Sequence, residues 1–104
     1  MPSDKIRTQL VENLLAALAH MDDPDQIYAL LQDLCTIREI SEMSQRLEVA
    51  RLLDAHTSYV EIQEQTGVSA TTISRVSKCL NYGSGGYKAA LEALGLADGE
   101  GALR

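Results

Sequence analysis

Aromatic side chains are scarce in this sequence: its 104 residues include no tryptophan, no phenylalanine and only four tyrosines. The interior must therefore come from Leu, Ala, Ile and Val, which bury less area per residue than aromatic rings. A chain of this length hides only about two-thirds of the surface its unfolded form exposes. A thin aliphatic core favours helices, and it makes a second copy attractive as a source of further apolar area. Long hydrophobic runs are also missing. Nothing approaches the roughly 18 residues of a membrane span, and "MPSDKIRTQL" carries polar and acidic groups where a secretory leader would be apolar. The expectation is a cytoplasmic protein. Cys35 and Cys79 stand alone, without CxxC or Cys/His ligand spacing, which argues against a zinc site and a disulfide framework. No segment alternates apolar and polar residues between turn residues, and no repeat or low-complexity tract occurs. The fold class that remains is all-α.

Helix signals are frequent. Ser3 is placed to cap a first helix in which Ile6, Leu10, Leu14, Leu15 and Leu18 recur at helical spacing. Asp23 followed by Pro24 reads as the cap and first turn of a second helix, with Ile27, Leu30, Leu31 and Leu34 inward. Thr36 and Glu39 form a capping box that opens a third helix reaching about Ala55. Along it Ile40, Met43, Leu47, Ala50 and Leu53 are expected to face inward. Ser58 with Glu61 starts a short helix from Tyr59 to Gln65, and Gly67 suits a tight turn needing positive φ. Ser69 caps the next helix, expected to end near Leu80 before "NYGSGGY". A last helix is expected from Tyr87 to Leu96, with Leu91 and Leu94 on one face. The division expected is one helical domain over residues 1–96 and a mobile tail over 97–104.

Two short helices joined by a glycine turn have the form of a helix-turn-helix, here over about residues 58–80. The positions that must pack the two helices together fall on Ile62, Val68, Ile73 and Val76, all apolar. Ser69, Ala70, Thr71, Thr72, Ser74, Arg75 and Lys78 lie between or beyond them. These are mostly short polar or basic side chains of the kind that reach base edges and phosphates from the major groove. Gln63 stands where many such motifs have a small residue. The net charge of −6 runs against DNA binding until it is read locally. Residues 1–56 hold five basic and ten acidic side chains, residues 57–88 three and two, and residues 89–104 one and three. No acid occurs from Gln65 to Leu91. With so few Lys and Arg, phosphate contacts must draw also on backbone N–H groups and on the helix N-terminus.

Other features have structural readings. "NYGSGGYK" follows a helix, lacks the spacing of a phosphate loop and reads as a helix stop, although Tyr82 and Lys88 are within its reach of a DNA backbone. His20 and His56 lie near helix ends, where a cation offsets exposed carbonyls, and neither has a partner at metal-ligand spacing. Nothing arranges Ser, His and Asp as a nucleophile with its base, so no catalytic residue, metal or cofactor is expected.

The stretch "LLQDLCTIREISEMSQRLEVARLLDAHTSYVEIQEQTGVSATTISRVSKCLNYGSGGY" resembles the Trp repressor superfamily, most closely its YerC/YecD branch. The "QRLEVARLL" helix, the "TGVSATTISRVSKCLNYG" core and the trailing "GGY" carry the resemblance together. It implies an intertwined helical homodimer in which N- and C-terminal helices of both chains share one core. It further implies a transcriptional repressor whose two reading heads meet half-sites about 34–36 Å apart in a near-palindromic operator. In the Trp repressor the indole lies between two arginines; Arg75 matches the second, and Arg46 is nearest to the first across a one-residue gap. The family's following glycine is Val76 here, and a hydroxyl that holds the amino-acid head group is replaced by Cys79. Both departures argue against tryptophan and leave the effector unidentified.

The resulting expectation is double-stranded DNA as partner, with Ser69, Ala70, Thr71, Thr72 and Ser74 near bases. Tyr59, Gln63, Arg75 and Lys78 would position the head on the backbone or reach neighbouring base edges. The competing expectation is a helical protein-interaction module that uses its acidic N-terminal half and does not bind DNA.

Overall fold

The computed structural model describes residues 6–95, and every regular element among them is an α-helix. The chain divides into two compact units, Met1–Ile40 and Ser41–Arg104. In the first unit α1 spans Gln9–His20 and α2 spans Pro24–Leu34. The start of α1 differs from the sequence expectation. Thr8 takes the cap, its hydroxyl accepting from the Val11 N–H at 3.4 Å, while Ile6 and Arg7 precede the helix. Arg7 pairs with Glu12 of the first turn. Ser3 lies outside the described residues. Asp23 and Pro24 do start α2, the Asp23 carboxylate accepting from the Asp25 N–H at 2.9 Å. Neither helix contains a buried residue, and Leu10 and Leu34, expected to point inward, are 79% and 56% exposed.

Helix α3, Ile37–Asp54, begins with a complete capping box. The Glu39 N–H donates to Thr36 Oγ1 at 3.0 Å, and Glu39 Oε1 accepts from the Thr36 N–H at 2.8 Å. It ends in a Schellman turn in which Thr57 N–H reaches the Leu52 carbonyl at 3.0 Å and His56 N–H the Leu53 carbonyl at 2.9 Å. That geometry puts His56 in the left-handed region with φ 64°, a position usually held by glycine. Of the stripe expected along α3 only Ala50 is fully buried, and it shares the buried face with Val49 and Leu52. Met43 is exposed, and Ile40, Leu47 and Leu53 are only half-buried. The stripe expected from spacing runs the length of the helix, but Ile62, Ile73 and Val76 meet only its C-terminal end.

Three shorter helices complete the second unit: α4 over Tyr59–Thr66, α5 over Ala70–Tyr82 and α6 over Gly86–Ala93. Helix α5 packs against both α4 and α6. One cluster joins Val49, Ala50 and Leu52 to Ile62, Ile73 and Val76, with Leu53, Val68 and Tyr87 packed against it. Leu80 and Leu91 are buried as well. Full burial of an Ile or Leu contributes about 1.5–3 kcal/mol, so the α4–turn–α5 unit rests on a few large terms. Helix α6 stops short of its expected end: Leu94 lies beyond the helix and is 54% exposed. Leu96 and the tail 97–104 lie outside the described residues.

Candidate nucleic-acid interface

The head is assembled by local chemistry. Ser58 Oγ accepts from the Glu61 N–H at 3.2 Å and starts α4. At the other end Gly67 adopts φ 76°, a left-handed backbone conformation that residues with a side chain take only with strain, although the space beside it is open. Thr66 ties the turn together in a way that sequence reading missed. Its hydroxyl donates to the Ile62 carbonyl at 2.7 Å and accepts from the Val68 N–H at 3.3 Å, bridging the last turn of α4 to the residue beyond Gly67. A threonine directly before a turn glycine is the signal that points to such a local bond. Ser69 Oγ then accepts from the Thr72 N–H at 3.2 Å and donates to Thr72 Oγ1 at 3.2 Å. Ile62 and Ile73 are fully buried, Val76 is nearly so and Val68 is half-buried, so all four positions expected to join the two helices do so.

With that side of α5 turned inward, the opposite side presents Ala70, Thr71, Ser74, Arg75 and Lys78, all exposed. Thr72 is half-buried, and Ser69 is exposed but spends its hydroxyl on the cap. Tyr59 and Gln63, one turn apart on α4, are exposed. Among the described residues neither Arg75 nor Lys78 forms an ion pair, whereas Arg51 of α3 is held by Glu48 at 2.7 Å. The cations of the head are thus available to an external anion. Tyr82 and Lys88, beyond the end of α5, are exposed too.

Behind this face lies a cleft of about 290 Å³ lined by Arg46, Thr72, Arg75, Val76, Cys79 and Tyr87. It gathers all four residues that the resemblance singled out for ligand comparison, and it adds Tyr87, which that comparison did not include. The Val76 side chain is only 2% exposed and is committed to the core. Burial pushes the Tyr87 phenol above its ordinary pKa, and Cys79 adds to the shift while Arg46 partly opposes it. Cys35 and Cys79 are both free thiols. Among the described residues there is no group of three or more metal-ligating side chains, and no helix is long and apolar enough to cross a membrane.

Comparisons with known proteins converge on one family. The profile described as Trp repressor protein matches residues 9–95. The uncharacterized protein YerC of Bacillus subtilis is 44% identical over 92 residues, covering 88% of each chain. A crystal structure of a TrpR like protein from Eubacterium eligens superposes with a TM-score of 0.86 at 46% identity, covering 91% of this chain and 98% of that one. A second crystal structure, from Staphylococcus aureus, gives a TM-score of 0.85 at 32% identity, covering 92% and 96%.

Proposed function

The chain belongs to the Trp repressor family, in its YerC-type branch, and on that premise we propose that it is a sequence-specific DNA-binding regulator that represses transcription by occupying an operator. The observation that carries the proposal is the outward face of α5, which is acid-free, capped by Ser69 and furnished with the unpaired cations Arg75 and Lys78. Such a face fits the major groove, where the N-terminal residues of the helix reach base edges and cations further along neutralise phosphate. Ala70, Thr71 and Ser74 are the base-facing group, with Ser69 and Thr72 holding the helix start beside them. Arg75, Lys78, Tyr59 and Gln63 set the position of the head on the duplex.

The working form in this reading is a cytoplasmic homodimer on a near-palindromic operator. Its support is the apolar surface that α1 and α2 leave exposed, including Leu10, Leu14, Leu15 and Leu34. Large apolar side chains left exposed on both helices favour association, and a second copy carries the same side chains. Tryptophan is not part of the proposal, because Val76 and Cys79 stand where the family pattern has a glycine and a hydroxyl.

Selection of bound duplexes from a random pool, followed by salt titration of the best binder, tests the reading. Affinity should fall steeply with salt, and Lys78→Ala should reduce the logarithmic slope by about one. Absence of any enriched sequence at low salt would refute the regulator and leave the protein-interaction module. Sedimentation should return the mass of two chains; a monomer at working concentration would remove the palindromic operator from the proposal.

A further inference from the structure

If α5 reads bases, the chemistry of its outward face limits what it can read. This step rests on the function proposed above. The major groove offers four kinds of handle: acceptor pairs on guanine, a donor and acceptor on adenine, an amino donor on cytosine, and the C5 methyl of thymine. Adenine is normally taken by Asn or Gln and cytosine by Asp or Glu. Helix α5 carries none of these before Asn81 in its last turn, whose amide donates to Ser77 Oγ at 3.4 Å. Its cations come in the second and third turns, at Arg75 and Lys78, behind the residues nearest the helix start. Exposed in the first two turns are Ala70, Thr71, Ser74 and Arg75, with Arg75 the farthest of the four from the helix start. The Thr71 and Ser74 hydroxyls make no hydrogen bond within the described chain, but a hydroxyl rotates and both donates and accepts, so it discriminates weakly between bases. What remains at the tip is apolar: the methyl of Ala70 and the γ-methyl of Thr71, on consecutive exposed positions. Ser69 Oγ and Thr72 Oγ1 are joined to each other at 3.2 Å, which fixes the helix start from which both methyls project.

We infer that the start of α5 discriminates sequence through thymine C5 methyl groups packed against Ala70 and Thr71, and not through bidentate hydrogen bonds to adenine or cytosine. Arg75 and Lys78 supply affinity through phosphate. The operator half-site accordingly contains at least one thymine whose methyl is read and whose replacement by uracil is penalised.

The experiment takes the duplex recovered by selection and replaces each thymine of the half-site with uracil, which removes the methyl and keeps every hydrogen-bonding group. Binding of the full-length protein should weaken about fourfold at each thymine that is read, the worth of one buried methyl. Thr71→Ser removes the protein's methyl and keeps its hydroxyl; this variant should bind the thymine and uracil duplexes equally at the position Thr71 reads. Undiminished binding to every uracil-substituted duplex would overturn the inference while leaving DNA recognition intact. So would a uracil penalty that survives in both Thr71→Ser and Ala70→Gly. If selection enriches no sequence at all, the function proposed above fails first, and a basic patch without base readout replaces both.

Discussion

Replacing Thr66 by valine is nearly isosteric and removes only the hydroxyl that spans the helix-turn-helix turn. In the native protein that hydroxyl donates to the Ile62 carbonyl at 2.7 Å and accepts from the Val68 N–H at 3.3 Å. The Ile62 carbonyl keeps its ordinary helical partner after the change. The Val68 N–H does not, and it lies in a partly buried turn. A hydrogen bond in such a place contributes about 0.5–1.5 kcal/mol, and leaving a donor unpaired adds toward about 1–3 kcal/mol. Thr66→Val is therefore expected to cost about 1.5–2 kcal/mol. Thr66→Ser keeps both bonds and loses one half-buried methyl, worth about 0.4–0.8 kcal/mol. Urea denaturation followed by far-ultraviolet circular dichroism, at one fixed protein concentration, ranks the three proteins. The order is diagnostic. If Thr66 acts through its hydroxyl, valine is the worse substitution; if it acts by filling space, serine is. Serine falling below valine would refute the clamp.

Three further outcomes follow from local geometry. His56 occupies the left-handed position of the Schellman turn that ends α3; relieving that strain contributes about 1–2 kcal/mol, and glycine's extra freedom when unfolded takes back about 0.5–1. His56→Gly should thus raise the urea midpoint, by roughly 0.5–1 kcal/mol in stability, and an unchanged midpoint would count against the strain. A Cβ at Gly83 would sit 2.4 Å from the backbone carbonyl oxygen of Cys79, so Gly83→Ala must displace the link into α6. A loss of about 1–3 kcal/mol is expected, and a native-like melting curve would show that the link yields freely. Tyr87 should ionise later than an ordinary tyrosine, whose value is 10.0, because burial disfavours its phenolate. Since the folded state holds that proton longer, its contribution to stability is complete below about pH 10 and is lost as pH rises through the folded value. The difference between the ultraviolet phenolate titrations of the native protein and Tyr87→Phe isolates this group, and a difference curve centred at or below pH 10.0 would refute the burial argument.

Capping was the most legible layer. Asp23 with Pro24, Thr36 with Glu39, Ser58 and Ser69 all start helices where they were expected, and Gly67 turns where it was expected. Each of these interactions closes within about four residues, so the chain's own order determines it. The α4–α5 contact was equally readable, because Ile62, Val68, Ile73 and Val76 lie too close in sequence to have many ways of meeting. The absence of acid from Gln65 to Leu91, which spans the turn and α5, was readable directly from the chain, although α4 carries Glu61 and Glu64. Decisions between equivalent local options were not legible. Ser3 and Thr8 are both hydroxyl caps, and Thr8 is the one that caps α1, with Arg7 and Glu12 paired just ahead of and inside the helix.

Long-range packing decided the remainder. Spacing along α3 identified an apolar stripe, but only contact with α4 and α5 could determine that Val49 and Leu52 are buried while Met43 is not. Arg46 and Tyr87 lie 41 positions apart and line one cleft with Arg75 because α3, α5 and α6 converge there. That Arg75 and Lys78 form no ion pair among the described residues is likewise a property of the folded surface, since the acids of α1 to α4 could have reached them in another arrangement. The sequence by itself determined the helices, the turn and the chemistry of the α5 face, all of which depend on neighbours along the chain. Which apolar residues are covered, and which cations remain free, depended on neighbours in space, and those exist only once the helices have packed.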